Sequence, residues 1–136
     1  MMIATLAAAV VAAAVAGPAA ARTSPTTLKL KKTSVGTILV NGRGFTLYTF
    51  TKDGRNRDKC AAIGGCLSIW PVVNGSARPI LGPGVKRSLV GTITVMGKKQ
   101  LTYGGHPLYT YVADSGPGQT SYVNTLQFGG RWPALS

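Results

Sequence analysis

The sequence predicts a mainly β fold: two tandem, pseudo-symmetric antiparallel repeats that share one core, with one short helix near a disulfide. Three observations carry that prediction. The first is repetition. Residues 44–53 read GFTLYTFTKD and residues 105–114 read GHPLYTYVAD, so that Gly, Leu, Tyr, Thr and Asp coincide 61 positions apart. Val35-Gly36-Thr37-Ile38 recurs as Val90-Gly91-Thr92-Ile93, 55 apart, and Trp70-Pro71 as Trp132-Pro133, 62 apart; Gly64-Gly65 is echoed by Gly129-Gly130. Several blocks recurring in one order mark a duplicated supersecondary unit. The second observation is composition: the chain beyond its first residues is dense in Gly, Pro, Val, Thr and Tyr and holds no amphipathic helical stretch. The third is an isolated cysteine pair, Cys60 and Cys66.

Taken in order, residues 2–16 are almost wholly Ala, Val, Leu and Ile, and Ala19-Ala20-Ala21 offers small residues before Arg22. That pattern is a secretory leader with its cleavage site, too short an apolar run to span a bilayer. Residues 1–21 are therefore expected to be a signal peptide, and the mature chain to carry no transmembrane span. Residues 22–33, polar and basic, read as a flexible tether. Residues 34–136 read as a single β domain, with repeat one at about 34–73 and repeat two at about 89–135. About 50 residues bury too little surface to stand alone, so the repeats are expected to share a core.

Within repeat one, residues 37–40, the Asn41-Gly42 turn and residues 45–51 read as strand, turn, strand. Residues 92–96 and 100–103 form the matching hairpin, and residues 107–112 a further strand. Alternation places Phe45, Leu47 and Thr49 on one face and Tyr48 and Phe50 on the other, with Leu108 opposed to Tyr109 and Tyr111. Those aromatics suit either a shared core or an exposed face that stacks on a ligand. Asp53 and Asp114 open turns and are expected to cap them. Residues 58–69 hold the cysteines and the one helical turn, with Asp58 at its start. In an oxidising compartment the pair reads as a structural disulfide. Each Trp-Pro is expected to plug the core.

Fifteen Lys and Arg stand against Asp53, Asp58 and Asp114, with no Glu, giving +12 on the whole chain. Such a surface attracts anionic polymers. Export excludes an intracellular nucleic-acid role. An enzyme reading fails on inventory, for acid–base work needs paired carboxylates or an oriented His, and the single His106 lies in a turn. Asp53, Asn56 and Asp58 have a calcium-like spacing, but Lys52, Arg55, Arg57 and Lys59 interleave them and oppose a cation. No resident metal and no cofactor are expected.

Together these residues resemble a family of secreted bacterial repeat proteins and lipoproteins with a Tyr-x-(Phe/Trp/Tyr)-x-x-Asp motif. It stands here as Tyr48-Thr49-Phe50-Thr51-Lys52-Asp53 and as Tyr109-Thr110-Tyr111-Val112-Ala113-Asp114. The flanking Cys60…Cys66…Trp70-Pro71 run, Tyr103-Gly104-Gly105-His106-Pro107-Leu108 and Gly116-Pro117-Gly118 share in the likeness. It departs in having no lipobox Cys, so no lipid anchor is implied, in a Cys60/Cys66 pair spaced more widely than the family's, and in Gln119, where an acidic residue is expected. The resemblance implies an extracytoplasmic β-rich repeat. The functional expectation is a secreted, non-enzymatic module that binds an anionic cell-envelope polymer or an envelope protein. Its candidate residues are Tyr48, Phe50, Asp53, Tyr109, Tyr111, Asp114, Lys86, Arg87, Lys98 and Lys99. The alternative is a redox or metal-handling protein using Cys60/Cys66 or His106.

Overall fold

The computed structural model describes residues 24–135; the expected signal peptide lies outside the described residues. Strands β1 (Thr27–Thr33) and β2 (Gly36–Asn41) form an antiparallel hairpin, registered from Leu28 opposite Asn41 to Thr33 opposite Gly36, and β3 (Ile80–Leu81) adds to β1 in parallel. The tether expected over residues 22–33 is thus corrected from Thr27 onward. Its lysines made the segment look disordered, but Leu28 and Leu30 alternate with Lys29 and Lys31. Leu28 is fully buried and Leu30 packs against the core, which is strand periodicity with the charges turned outward.

Strands β4 (Val90–Val95) and β5 (Lys98–Tyr103) form the second hairpin, and β6 (His106–Pro107) pairs with β5. The two hairpins are equivalent at a constant spacing. Leu39 N–H donates to Leu135 O, and Leu101 N–H donates to Val73 O, each partner displaced by 62 positions. Val35-Gly36-Thr37-Ile38 therefore corresponds to residues 97–100, at the turn into β5 and its start. Its echo at Val90-Gly91-Thr92-Ile93 lies on β4, so the 55-residue block match joins non-equivalent strands. β-Branched residues beside a glycine recur in hairpins for reasons of conformation alone. The change of spacing from 62 to 61 has a local cause. Repeat two turns with Gly104 and Gly105, both at positive φ, whereas repeat one uses residues 42–44, with Asn41 Oδ1 accepting the amides of Arg43 and Phe45.

The motif segments, expected as regular strands, are extended but share their backbone bonds among several partners. Tyr48 N–H donates to Tyr109 O at 2.7 Å and Tyr109 N–H donates back to Tyr48 O at 2.9 Å. This reciprocal antiparallel pair places the pseudo-two-fold axis between the two motif tyrosines. Around it the bonds cross between repeats: Thr49 N–H donates to Pro133 O and Thr110 N–H to Pro71 O. Each repeat's closing segment thus hydrogen-bonds the other repeat's motif, and the core is shared as expected. It has two sides. Leu28, Leu39, Leu47, Val73, Leu101, Tyr103 and Leu108 form one; Tyr48, Phe50, Cys60, Cys66, Trp70, Tyr109 and Trp132 form the other. Period-2 alternation sends Leu47 and Leu108 to the first and Tyr48, Phe50 and Tyr109 to the second.

The repeats differ before their tryptophans. Repeat one has a 3-10 turn at Cys60–Ala62 and helix α1 (Cys66–Ile69); the Cys60–Cys66 disulfide joins them, and Asp58 Oδ1 accepts the Ala61 amide. Closing so short a loop stabilises the fold by about 2 kcal/mol. Repeat two has the hairpin of β7 (Thr125–Gln127) and β8 (Gly130–Trp132) instead. The glycine pairs accordingly do different work: Gly65 starts α1, and Gly129 turns the hairpin.

Two hairpin turns place an apolar residue where φ is positive: Met96 (φ 50) before Gly97, and Phe128 (φ 55) before Gly129. Two-residue turns of this hand favour Asn-Gly, because an ordinary side chain in the left-handed region costs about 1 kcal/mol. Phe128 recovers that cost by packing on the aromatic side of the core. Met96 is 77% exposed and packs on neither side of it.

Candidate functional site

The crossing of the repeats extends to the motif side chains. Tyr48 of the first motif donates its hydroxyl to Asp114 Oδ2 of the second at 2.8 Å, and Tyr109 of the second donates to Asp53 Oδ2 of the first at 2.7 Å. Each motif thus supplies the phenol for the other's carboxylate. Asp53 also caps its own loop, its Oδ1 accepting the Lys59 amide at 2.7 Å. Asp114 does not take the expected capping role. Gln119, 61 positions after Asp58, holds that turn instead, its Oε1 accepting the Ser115 amide at 2.6 Å. Asp114 Oδ1 is buried without a hydrogen-bond partner.

Between the pairs lies a stack of rings. Phe50 lies on Trp132 (centroids 4.0 Å apart), Trp132 on Trp70 (4.1 Å, planes 4° apart), and Trp70 on Tyr111 (4.3 Å). Tyr48 meets Trp70 edge-on at 5.1 Å, and Tyr109 meets Trp132 likewise at 5.0 Å. Both indole N–H groups donate to one residue: Trp70 to Gln127 Oε1 and Trp132 to Gln127 O. The sequence singles out neither this glutamine nor the exchange of phenols, because the Trp70–Gln127 bond and both phenol pairs are contacts between repeats.

Tyr48, Phe50 and Tyr109 are buried, so the reading in which they stack on a ligand is corrected: they are core. The half-buried Tyr111 is sandwiched between Trp70 and Tyr122. Cys60 and Cys66 are fully buried in a closed disulfide, and His106 is exposed on β6. Among the described residues no group of three His, Cys, Asp or Glu is placed to hold a metal ion, and no helix is long and apolar enough to cross a membrane.

Burial pushes the Asp53 carboxyl up to about 6, against the bonds from Lys59 and Tyr109, which pull it down. Burial also raises Asp114, opposed by the Tyr48 hydroxyl. Burial, reinforced by the facing aspartate, raises both tyrosine hydroxyls. A carboxyl raised in the folded state binds its proton more tightly there than in the unfolded chain. Its contribution is fully present below the unfolded value near 4 and is lost as pH rises through 6. Allowing for solvent screening, Asp53 adds about 1 kcal/mol at low pH, and Asp114 acts in the same direction. The expected result is a Tm several degrees higher at pH 5 than at pH 7.5 in 0.15 M salt, with the gain reduced in Asp53→Asn. A wild-type Tm that falls on acidification contradicts it.

The basic candidates cluster differently from the aromatics. Lys86 and Arg87 lie just before β4, and Lys98 and Lys99 just after the turn at its far end. The loop of residues 54–59 runs beside the strand between them. Arg55 reaches the Gly104 carbonyl at 3.4 Å, and the Gly104 amide bonds Leu89 at the strand's start. Arg57 and Lys59 line a cleft of about 440 Å³ with Ile93, Thr94, Val95 and Met96 at its end. Seven exposed cations thus belong to segments that flank β4: Lys86 and Arg87 before it, Arg55, Arg57 and Lys59 on the loop beside it, and Lys98 and Lys99 after the turn at its far end. The interleaved charges of residues 52–59 were the sequence signal for the middle of this stripe.

A model of a family described as a secreted repeat of unknown function matches residues 29–74 and 92–136, two repeats covering more than half of the chain. The chain belongs to that family of secreted repeats. It is a secreted protein, and the first matched repeat begins within β1, in agreement with the corrected boundary. No curated protein and no solved structure matches the chain.

Proposed function

We propose that this secreted repeat protein is a non-enzymatic binding module that holds a linear anionic polymer of the cell envelope along the basic stripe beside β4. One observation carries the reading: exposed cations from three separate chain segments flank β4, while two of the three carboxylates, Asp53 and Asp114, are turned inward to tyrosines. Asp58 stands among these cations and offsets one of them, but the stripe stays strongly positive, and its length suits a chain of repeated phosphates or carboxylates. The aromatic pairs serve this reading by holding the repeats together, not by touching the ligand.

The test is binding to long-chain polyphosphate across a salt series. Counterion release makes log K fall linearly with log salt, with a slope of about −0.7 per phosphate contacted by a single strand. Neutralising Arg55, Arg57, Lys98 and Lys99 together to Gln is expected to lower the slope magnitude by about 3. Lys31→Gln/Lys32→Gln on the other hairpin is expected to change it much less. Equal effects in the two variants refute the stripe and leave only diffuse charge.

A further inference from the structure

We propose that the β4–β5 turn is a membrane-docking tip, with Met96 entering the headgroup boundary of an anionic phospholipid bilayer while Lys98 and Lys99 meet lipid phosphates. The inference shares those lysines with the polymer-binding stripe but rests on a different residue, Met96.

Met96 breaks a local rule without visible compensation. It occupies a left-handed position that Asn or Gly fills at little cost, and among the described residues it is the most exposed of the large apolar side chains, at 77%. Phe128 breaks the same rule in the other hairpin, but its ring packs on the core. A strained residue whose side chain does nothing for the fold points to work done outside it.

The surroundings indicate which partner. Lys98 and Lys99 follow the turn, and Arg57 and Lys59 face it across the adjacent cleft. On the other flank a groove of about 740 Å³, lined in part by Leu67, Pro71, Val72 and Val95 and edged by Lys98 and Lys99, also reaches Met96. A stable protein interface needs about 800 Å² per partner around a broad apolar centre. One projecting side chain beside a narrow, lysine-edged groove does not supply that centre. A bilayer surface asks for less: an apolar group at the acyl boundary and cations at the level of the phosphates.

The experiment is co-sedimentation of a chain beginning at Arg22 with large vesicles of 1:1 phosphatidylglycerol and phosphatidylcholine, and with phosphatidylcholine alone. Wild type is expected to bind the anionic vesicles. Met96→Asn is expected to raise Tm by a few degrees, because Asn tolerates the turn, yet to weaken vesicle binding about tenfold. Met96→Leu is expected to retain binding, and Lys98→Gln/Lys99→Gln to lose most of it at low salt. Polyphosphate binding by Met96→Asn should match wild type. Vesicle binding by Met96→Asn equal to wild type overturns the proposal. So does its losing vesicle and polyphosphate binding alike, since the turn would then act only through the fold. Wild type that binds polyphosphate but neither vesicle sinks the membrane tip and leaves the polymer reading standing; the reverse pattern sinks the polymer reading alone.

Discussion

Replacing Trp70 by alanine is expected to lower the unfolding free energy by about 3 to 5 kcal/mol, the range for emptying a large aromatic site in a close-packed core. The ring is fully buried, stacked on Trp132 at 4.1 Å and on Tyr111 at 4.3 Å, and touched edge-on by Tyr48. Truncation also leaves the Gln127 amide oxygen without its indole donor, a loss of about 1 kcal/mol or more where water does not enter. Backbone bonds fix both flanks of the gap, since Trp70 N–H is bound to Cys66 O and Val73 N–H to Leu108 O, so little collapse can fill it. A domain of this size holds about 5 to 15 kcal/mol in all. Because Trp70 belongs to repeat one and its stacking partner to repeat two, the damage falls on the joint, and the whole chain should unfold earlier in one transition. Denaturant titration followed by far-UV circular dichroism checks this. A loss below about 1 kcal/mol, or a second transition with one repeat intact, would show that the stack is not what couples the halves. Trp70→Phe, which keeps an aromatic ring but not the N–H, should lie between the two.

Local pattern carried most of the architecture. Alternation alone sorted Leu47 from Tyr48 and Leu108 from Tyr109, and the structure sends each to the side of the core that its face requires. Period matching carried the duplication but not its boundaries. Val35–Ile38 and Val90–Ile93 look alike because strands next to turns draw on the same residues, and only hydrogen bonds at Leu39 and Leu101 show that they are not equivalent. Charge density misled at Lys29, Lys31 and Lys32, where three lysines concealed a strand whose alternate Leu28 and Leu30 anchor the first sheet. The exchange between repeats was illegible for a different reason. A tyrosine followed five positions later by an aspartate describes two residues of one segment, and nothing in that spacing says that each pairs with its counterpart's partner. The basic stripe was half legible, since Lys86-Arg87 and Lys98-Lys99 stand at strand ends, while Arg55 and Arg57 needed the fold to bring their loop alongside β4.

That exchange makes the two tyrosines unequal in a way the repeat does not suggest. Tyr48→Phe is expected to cost about 2 to 3 kcal/mol at pH 7.5, and Tyr109→Phe about 1.5 to 2 kcal/mol, within the range for hydrogen bonds to charged groups. When Tyr109 loses its hydroxyl, Asp53 keeps the Lys59 amide on its other oxygen. When Tyr48 loses its hydroxyl, Asp114 gives up the bond at Oδ2, and its Oδ1 is buried without a partner already. A partly buried carboxylate so stripped is costly as an anion and takes up a proton instead. The sign follows directly. The Tyr48 bond pulls the Asp114 carboxyl down, so its removal raises that carboxyl further. The penalty of Tyr48→Phe should therefore shrink as pH falls from 7.5 to 5, and more than that of Tyr109→Phe. Paired denaturation curves at the two pH values measure this directly. Costs near zero for both variants at both pH values would mean that the tyrosines contribute through ring packing alone, and that the crossed pairs add nothing to the bond between the repeats.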